Sequence, residues 1–271
     1  MLYLSRTTKT LITAIAVVVL LATYVPLLVI VVNSFNARRV ASWPVTEFSL
    51  EWWGKALTNE AMQAAVGHSL IVAAAATAIA LLLGTLSAFA LQRFKFFGRE
   101  TVNLMIILPI TLPGVVTGVA LSNTFYQVLD PIGIKVGYAG LIIAHATFCI
   151  VMVFNNVIAR LRRMNPNLEE ASMDLGAGIG KTFRLVTFPQ FRSAFIAGGL
   201  LAFALSFDEV YVTIFTAPPG VDTLPIWFMN QMGRPNEANQ VNVVATIIIL
   251  LSFIPVYFSQ RMSAKAAEQL Q

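Results

Sequence analysis

The chain has 271 residues, 57% of them hydrophobic and 11% charged, with a mean hydropathy of +0.75. Soluble domains carry about 25% charged residues, so composition excludes an ordinary soluble protein and points to one that lives in a bilayer. The net charge of +5 does not mark a nucleic-acid binder, because the basic residues sit in short turns between apolar runs, where they report topology. The single cysteine, Cys149, excludes an internal disulfide.

Arg6 and Lys9 precede residues 11–32, which carry no charge and make roughly 33 Å of helix, enough to span a bilayer core. The apolar stretch is too long for a signal peptide and no convincing small-residue cleavage site follows. It reads as an uncleaved first span with its N-terminus in the cytoplasm. Residues 33–63 are polar and mixed. Trp43, Trp52 and Trp53 suit a membrane interface. Ser49 is placed to cap a short helix reaching Leu57, and Asn59 to cap the helix leading into a second span at about 66–91. His68 stands at the outer end of that span, where a satisfied interfacial role is the simplest reading.

Arg93, Lys95 and Arg99 mark a tight turn. The third span, at about 101–128, contains Leu-Pro-Ile-Thr-Leu-Pro-Gly from Leu108 to Gly114. Its two prolines remove backbone donors inside the span, which a membrane tolerates only where protein or a wet cavity covers the gap. Either this is a structural kink or the helix lines a pathway, with Thr111, Thr117, Ser122 and Asn123 as its polar candidates. A short outer loop at 129–137 leads to a fourth span at about 138–159. His145, Asn155 and Asn156 inside it are assigned to helix contacts. One histidine per helix without acidic neighbours is not a metal site, and no cofactor is expected.

Arg160, Arg162 and Arg163 open the longest polar segment of the chain, which runs over residues 169–189. Asn167 reads as an N-cap with Glu170 at N3. Glu169 and Glu170 fall in a first turn, where the helix dipole favours negative charge, and Gly176 supplies the left-handed residue that ends a helix. Residues 168–175 are therefore a short exposed helix of roughly 12 Å, suited to docking into a groove on a partner. After it, Phe183, Val186 and Phe188 would face the membrane or the bundle, and Lys181, Arg184 and Arg192 the cytosol. Gly176 to Thr182 imitates a phosphate loop, but G-x-x-x-x-G-K-[ST] needs glycine where Leu175 stands. A helix precedes it where a strand should, so nucleotide binding is not expected and any ATPase is another polypeptide.

The fifth span, about 193–216, has Gly198-Gly199 for close packing and carries Asp208-Glu209 in its outer half. A carboxylate at that depth costs a few kcal/mol or more unless it faces water or a partner. At least one of the two is expected to line a cavity, the alternative being a structural ion pair in a complex. Tyr211 beside them joins the pathway candidates. A second outer segment, 217–240, has Trp227 as an interfacial anchor. Residues 242–260 form the sixth span, and Arg261 and Lys265 close the chain inside. With both ends inside, thirteen of the eighteen basic residues fall on inner segments, as the positive-inside rule requires.

Glu170-Ala171-Ser172, three residues, Gly176, nine residues, Val186, one residue and Phe188-Pro189 resembles the EAA loop of binding-protein-dependent ABC importer permeases. That family's pattern is EAA, three residues, Gly, nine residues, Ile, one residue, Leu-Pro; Ser172, Val186 and Phe188 depart from it while keeping size or apolarity. The resemblance implies an all-α membrane protein with six transmembrane helices in the type I ABC importer permease fold. Residues 1–61 would be an N-terminal span and outer loop, 62–260 the permease domain and 261–271 a cytoplasmic tail. It implies alternating access in a bacterial inner membrane and no bond chemistry in this chain. The partners it implies are a second, homologous permease chain, an ABC ATPase dimer on the cytoplasmic side and a solute-binding protein outside. Glu169, Glu170, Ala171, Asp174, Gly176 and Pro189 would form the ATPase-coupling element.

Ser206-Phe207-Asp208-Glu209-Val210, with Pro218-Pro219-Gly220 and Thr223-Leu224-Pro225-Ile226, looks like the spermidine/putrescine branch. That branch commonly reads Ser-x-Asp-Asp/Glu-Phe here, and Val210 departs from it. The likeness implies a polyamine solute whose charge Asp208 and Glu209 would offset. Amino acids, opines and ferric ion are open alternatives, as is a secondary transporter or channel working without an ATPase. The last would move solute by itself and usually shows broken helices in two repeats; in the sequence only the third span shows one clearly. Two distant histidines and one cysteine do not make an enzyme.

Overall fold

The computed structural model describes residues 5–39, 43–234 and 237–268, with side chains as far as Phe253. Among the described residues all regular structure is helical apart from one isolated bridge between Asn36 and Phe48. Two compact units are formed, one by Met1–Gln63 with Phe228–Gln271 and one by Ala64–Trp227.

The first unit holds α1 (Arg6–Asn33), α2 (Glu51–Leu57) and α12 (Ala238–Glu268). The side chains of α1 face outward from Arg6 to Leu28, as expected of a helix solvated by lipid tails. α12 packs against both α1 and α2, and polar clamps fix the join. Asn59 donates from Nδ2 to Gln240 Oε1 at 3.0 Å, and Asn239 donates to the Arg38 carbonyl. Asn59 Oδ1 accepts the Met62 N–H at 3.0 Å, so that expected cap forms; at α2 the cap position falls to Leu50, without a side-chain bond, and Ser49 one residue earlier accepts the Glu51 N–H at 3.1 Å. Trp52 is buried, not interfacial as its type suggested, because α2 packs on α12 in place of floating at the lipid surface. Trp53 stacks on Phe35 at 5.3 Å. The inner end expected at Arg261 and Lys265 continues α12 as backbone to Glu268; those side chains and residues 269–271 lie outside the described set.

The second unit is built round α6 (Gly137–Leu161), the most buried of the span-length helices among the described residues. α3 (Glu60–Arg93) approaches it where Gly84 faces Ile150. A Cβ on Gly84 would stand 2.8 Å from the Ile150 carbonyl oxygen and 3.0 Å from Val153 Cβ. On the other side Gly198 lets α9 (Phe188–Phe207) approach the Val153 backbone in the same way. Small residues at helix crossings are the usual device where lipid supplies no hydrophobic drive. Gly84→Ala is expected to destabilise the bundle by about 2 kcal/mol through overpacking, read as a lower Tm in detergent. A wild-type Tm would show that α3 and α6 do not meet there.

Two of the expected spans are not simple rods. The third is a bent pair: α4 (Arg99–Thr111) and the helical run Gly114–Ile132, which opens with α5 (Gly114–Asn123), meet at a bend of 108°. Leu112 is extended because the residue before a proline is driven out of the helical region, and Pro113 follows it at φ −55° and ψ 134°. The fifth, expected to be continuous, breaks at residues 208–210 between α9 and α10 (Tyr211–Thr216). No proline or glycine marks that break; side-chain bonds described below make it. Four helices among the described residues are long and apolar enough to cross a membrane, five if the bent pair counts as one. The described apolar part of α12, Ala238–Phe253, is shorter.

Candidate coupling element and translocation cleft

The polar segment folds into α7 (Asn167–Asp174), a tight turn, and α8 (Ile179–Thr182), which runs through a π-helical turn at Phe183–Thr187 into α9. The wide turn lies just ahead of Pro189, which has no N–H to give and a ring that crowds the carbonyl four residues back. The N-cap differs by one residue from the sequence reading. Asn167 opens the helix itself, Pro166 takes the cap position, and Asn165 Oδ1 accepts the Asn167 N–H at 3.1 Å. Glu169, not Glu170, therefore stands at N3. The C-terminus forms as expected: Gly176 has φ +85°, Ala177 N–H reaches Ser172 O at 3.1 Å and Gly176 N–H reaches Met173 O at 2.9 Å, the Schellman pattern.

One helical step separates two different roles in α7. Glu169 is turned inward and buried. Its Oε1 accepts from the Arg93 guanidinium at the end of α3 and from Thr187 Oγ in the π turn at 2.6 Å. Arg93 also lies over the Phe89 ring at 5.2 Å. The guanidinium, helped by the Thr187 hydroxyl, holds the Glu169 carboxyl below its ordinary range. Glu170, Ala171 and Asp174 are exposed, as are Gly176 and Pro189. Leu175 and Ile179 are 89% and 82% exposed, an apolar pair beside the acids. Phe183 and Phe188 join Phe89, Phe191 and Phe195 in an aromatic cluster, so that face of the segment serves the bundle.

The two helix breaks meet. A small, half-open cleft is lined by Pro109, Leu112, Gly114 and Thr117 of the bent pair, by Phe148 and Leu205, and by Glu209 and Val212 at the second break. Gly114 and Gly118 let α5 lie against Tyr211 and Phe215 of α10. Glu209 is half-buried, and its Oε1 accepts the Val212 N–H at 2.9 Å, satisfying one of the donors a new helix leaves open. Thr117 is buried, and its hydroxyl has no protein partner among the described residues. Tyr211 stands over Gly114. Asp208 is exposed at the end of α9, outside the lining. Thr111 turns its hydroxyl back to the Leu108 carbonyl at 2.8 Å, and Asn123 is exposed farther along α5. The expected pathway set therefore divides, with Glu209 and Thr117 at the cleft, Tyr211 at its edge and the others away from it.

The histidines are satisfied. His68 Nδ1 contacts the Asp222 carbonyl at 3.0 Å and its ring meets Tyr138 edge-on. His145 is buried between Ser206 and Thr213 at 2.8 and 3.0 Å. Trp227, expected as an interfacial anchor, is buried, because α11 (Leu224–Met232) is drawn in by a 2.8 Å bond from the Leu224 N–H to Ser69 Oγ.

Lipid-length helices, a polar helix–turn–helix outside them and a carboxylate at a double helix break define a membrane transport subunit. A family described as binding-protein-dependent transport system inner membrane component matches residues 80–269. The chain belongs to that family and is a multi-pass inner-membrane permease component. It is 36% identical over 256 residues to the putrescine transport system permease protein PotI of Escherichia coli (strain K12), covering 92% of this chain and 90% of that one. It is 33% identical over 238 residues to the spermidine/putrescine transport system permease protein PotC of the same strain, covering 88% of each. A sulfate transport system permease protein, CysT of Salmonella typhimurium, is 35% identical over 175 residues, 62% of this chain and 63% of that one. The fold is that of type I ABC permeases. A solved bacterial ABC transporter involved in importing the acidic polysaccharide alginate matches 98% of this chain and 99% of its own with a TM-score of 0.69 at 16% identity.

Proposed function

We propose that this chain is a permease subunit of an ATP-driven polyamine importer, and that the ATPase resides in a separate subunit. One observation carries the reading: α7 presents Glu170, Asp174 and Leu175 outward while Glu169 ties the same helix to α3. A helix held rigidly at its root and bare at its face is built to be pushed. On this reading Glu170, Ala171, Asp174 and Gly176 meet the ATPase on the cytoplasmic side, with Pro189 at the root of the following helix. A solute-binding protein docks outside, and a second permease chain completes the pathway. Both termini are cytoplasmic and 62–260 is the permease domain. Similarity to putrescine and spermidine permeases, together with a carboxylate at the cleft, favours a cationic solute; sulfate would meet repulsion from Glu209.

Glu170→Lys is expected to abolish co-purification with the ATPase, because the exposed acid becomes a base without disturbing Glu169. In proteoliposomes the wild-type chain is expected to move radiolabelled putrescine only with its ATPase and binding protein. Unaided uptake would sink the reading, and an intact complex carrying Glu170→Lys would remove Glu170 from the docking surface.

A further inference from the structure

The break between α9 and α10 is held by a directional chain of hydrogen bonds through one buried imidazole. Thr213 uses its single hydroxyl hydrogen on the Glu209 carbonyl at 2.9 Å, so toward His145 it only accepts. His145 Nε2, 3.0 Å away, is therefore the protonated nitrogen. In the neutral ring Nδ1 is then the acceptor, taking the Ser206 hydroxyl at 2.8 Å. The bonds run one way, from Ser206 O–H to Nδ1, from Nε2–H to Thr213 Oγ, and from Thr213 O–H to the Glu209 C=O. They join the last turn of α9, the first turn of α10 and the backbone of the residue whose carboxylate lines the cleft. The His145 ring also lies 5.6 Å from Phe148, another lining residue.

We infer that His145 is a positioning residue for solute passage, clamping the two half-helices at the angle that aims Glu209 into the cleft. The inference rests on the reading that the cleft lies on the solute's route. It is tested in the complete importer, reconstituted in proteoliposomes, as putrescine moved per ATP hydrolysed. His145→Phe keeps a ring and loses both polar atoms; Thr213→Val loses the acceptor at constant shape; Ser206→Ala is the fallback if the first does not assemble. Each is expected to lower the ratio roughly tenfold, the factor a lost buried hydrogen bond carries, with KM held by the binding protein. The His145→Phe/Thr213→Val pair should be no worse than the worse single change, because the residues act as one unit. Uptake and hydrolysis falling together at a wild-type ratio would indicate folding support alone and overturn the inference, as would losses that multiply in the pair. Glu209→Gln separates the two readings. If it is impaired while His145→Phe is normal, only the clamp is wrong; if Glu209→Gln itself keeps the wild-type ratio, the cleft is off the route and both fall.

Discussion

Arg93→Glu is expected to cut ATP-driven uptake about a hundredfold, and the exchange Arg93→Glu/Glu169→Arg to restore most of it. The single change sets two carboxylates against each other where Glu169 now accepts from Arg93 and Thr187. Splitting a buried ion pair costs about 3–5 kcal/mol. The low end applies, since the Arg93 side chain is 42% exposed against 11% for Glu169, and about 3 kcal/mol is roughly a hundredfold in the population of a correctly rooted α7. Hydrolysis by the ATPase should persist while solute movement stops, because the motor would push on an element no longer anchored to α3. The measurement is uptake and hydrolysis in the same vesicles. If the exchange variant stayed as inactive as Arg93→Glu, the pair would not be the anchor.

The same pair fixes a pH dependence. Arg93 lowers the folded carboxyl of Glu169 below its ordinary value of 4.5. The stabilisation is therefore fully present above about pH 4.5 and is lost only as pH falls through the lowered value. The elbow is expected to hold without change from pH 5 to 8.

What the sequence made legible was local. Asn59 as a cap, Gly176 at a left-handed turn and the prolines at 109 and 113 are signals spread over a few residues, and each produced the expected feature. The EAA spacing marked the same polar segment as the proposed docking loop for the same reason. What stayed hidden depends on distant parts. Arg93 looked like an inner-surface charge and Glu169 like a first-turn acid; only tertiary packing brings together residues 76 apart in the chain. The prolines announced a break but not a 108° turn, because direction is set by what α5 packs against. The break after Phe207 has no proline or glycine to announce it, since Glu209 and Thr213 replace backbone bonds with side-chain ones. Trp52 and Trp227 look interfacial by type and are buried by context.

Glu209→Leu is expected to lower putrescine uptake by two orders of magnitude or more, and Glu209→Gln by about tenfold, because the carboxylate does two jobs. One oxygen caps α10 through the Val212 N–H at 2.9 Å, and the group also lines the cleft beside Thr117. Glutamine keeps an oxygen for the cap and removes the charge. Leucine removes both, leaving an unsatisfied buried donor worth about 1–3 kcal/mol on top of the lost attraction for a cation. Asp208, exposed outside the lining, contributes only long-range attraction that salt screens. Asp208→Asn should therefore reduce uptake a few-fold at low ionic strength and very little at high. The three variants together separate architecture from charge. If Gln and Leu were equally damaging, the charge would be everything and the cap nothing. If Gln matched wild type, the cleft would lie off the solute's route, the side chain would serve the helix start alone, and the cation would find its counter-charge elsewhere in the importer.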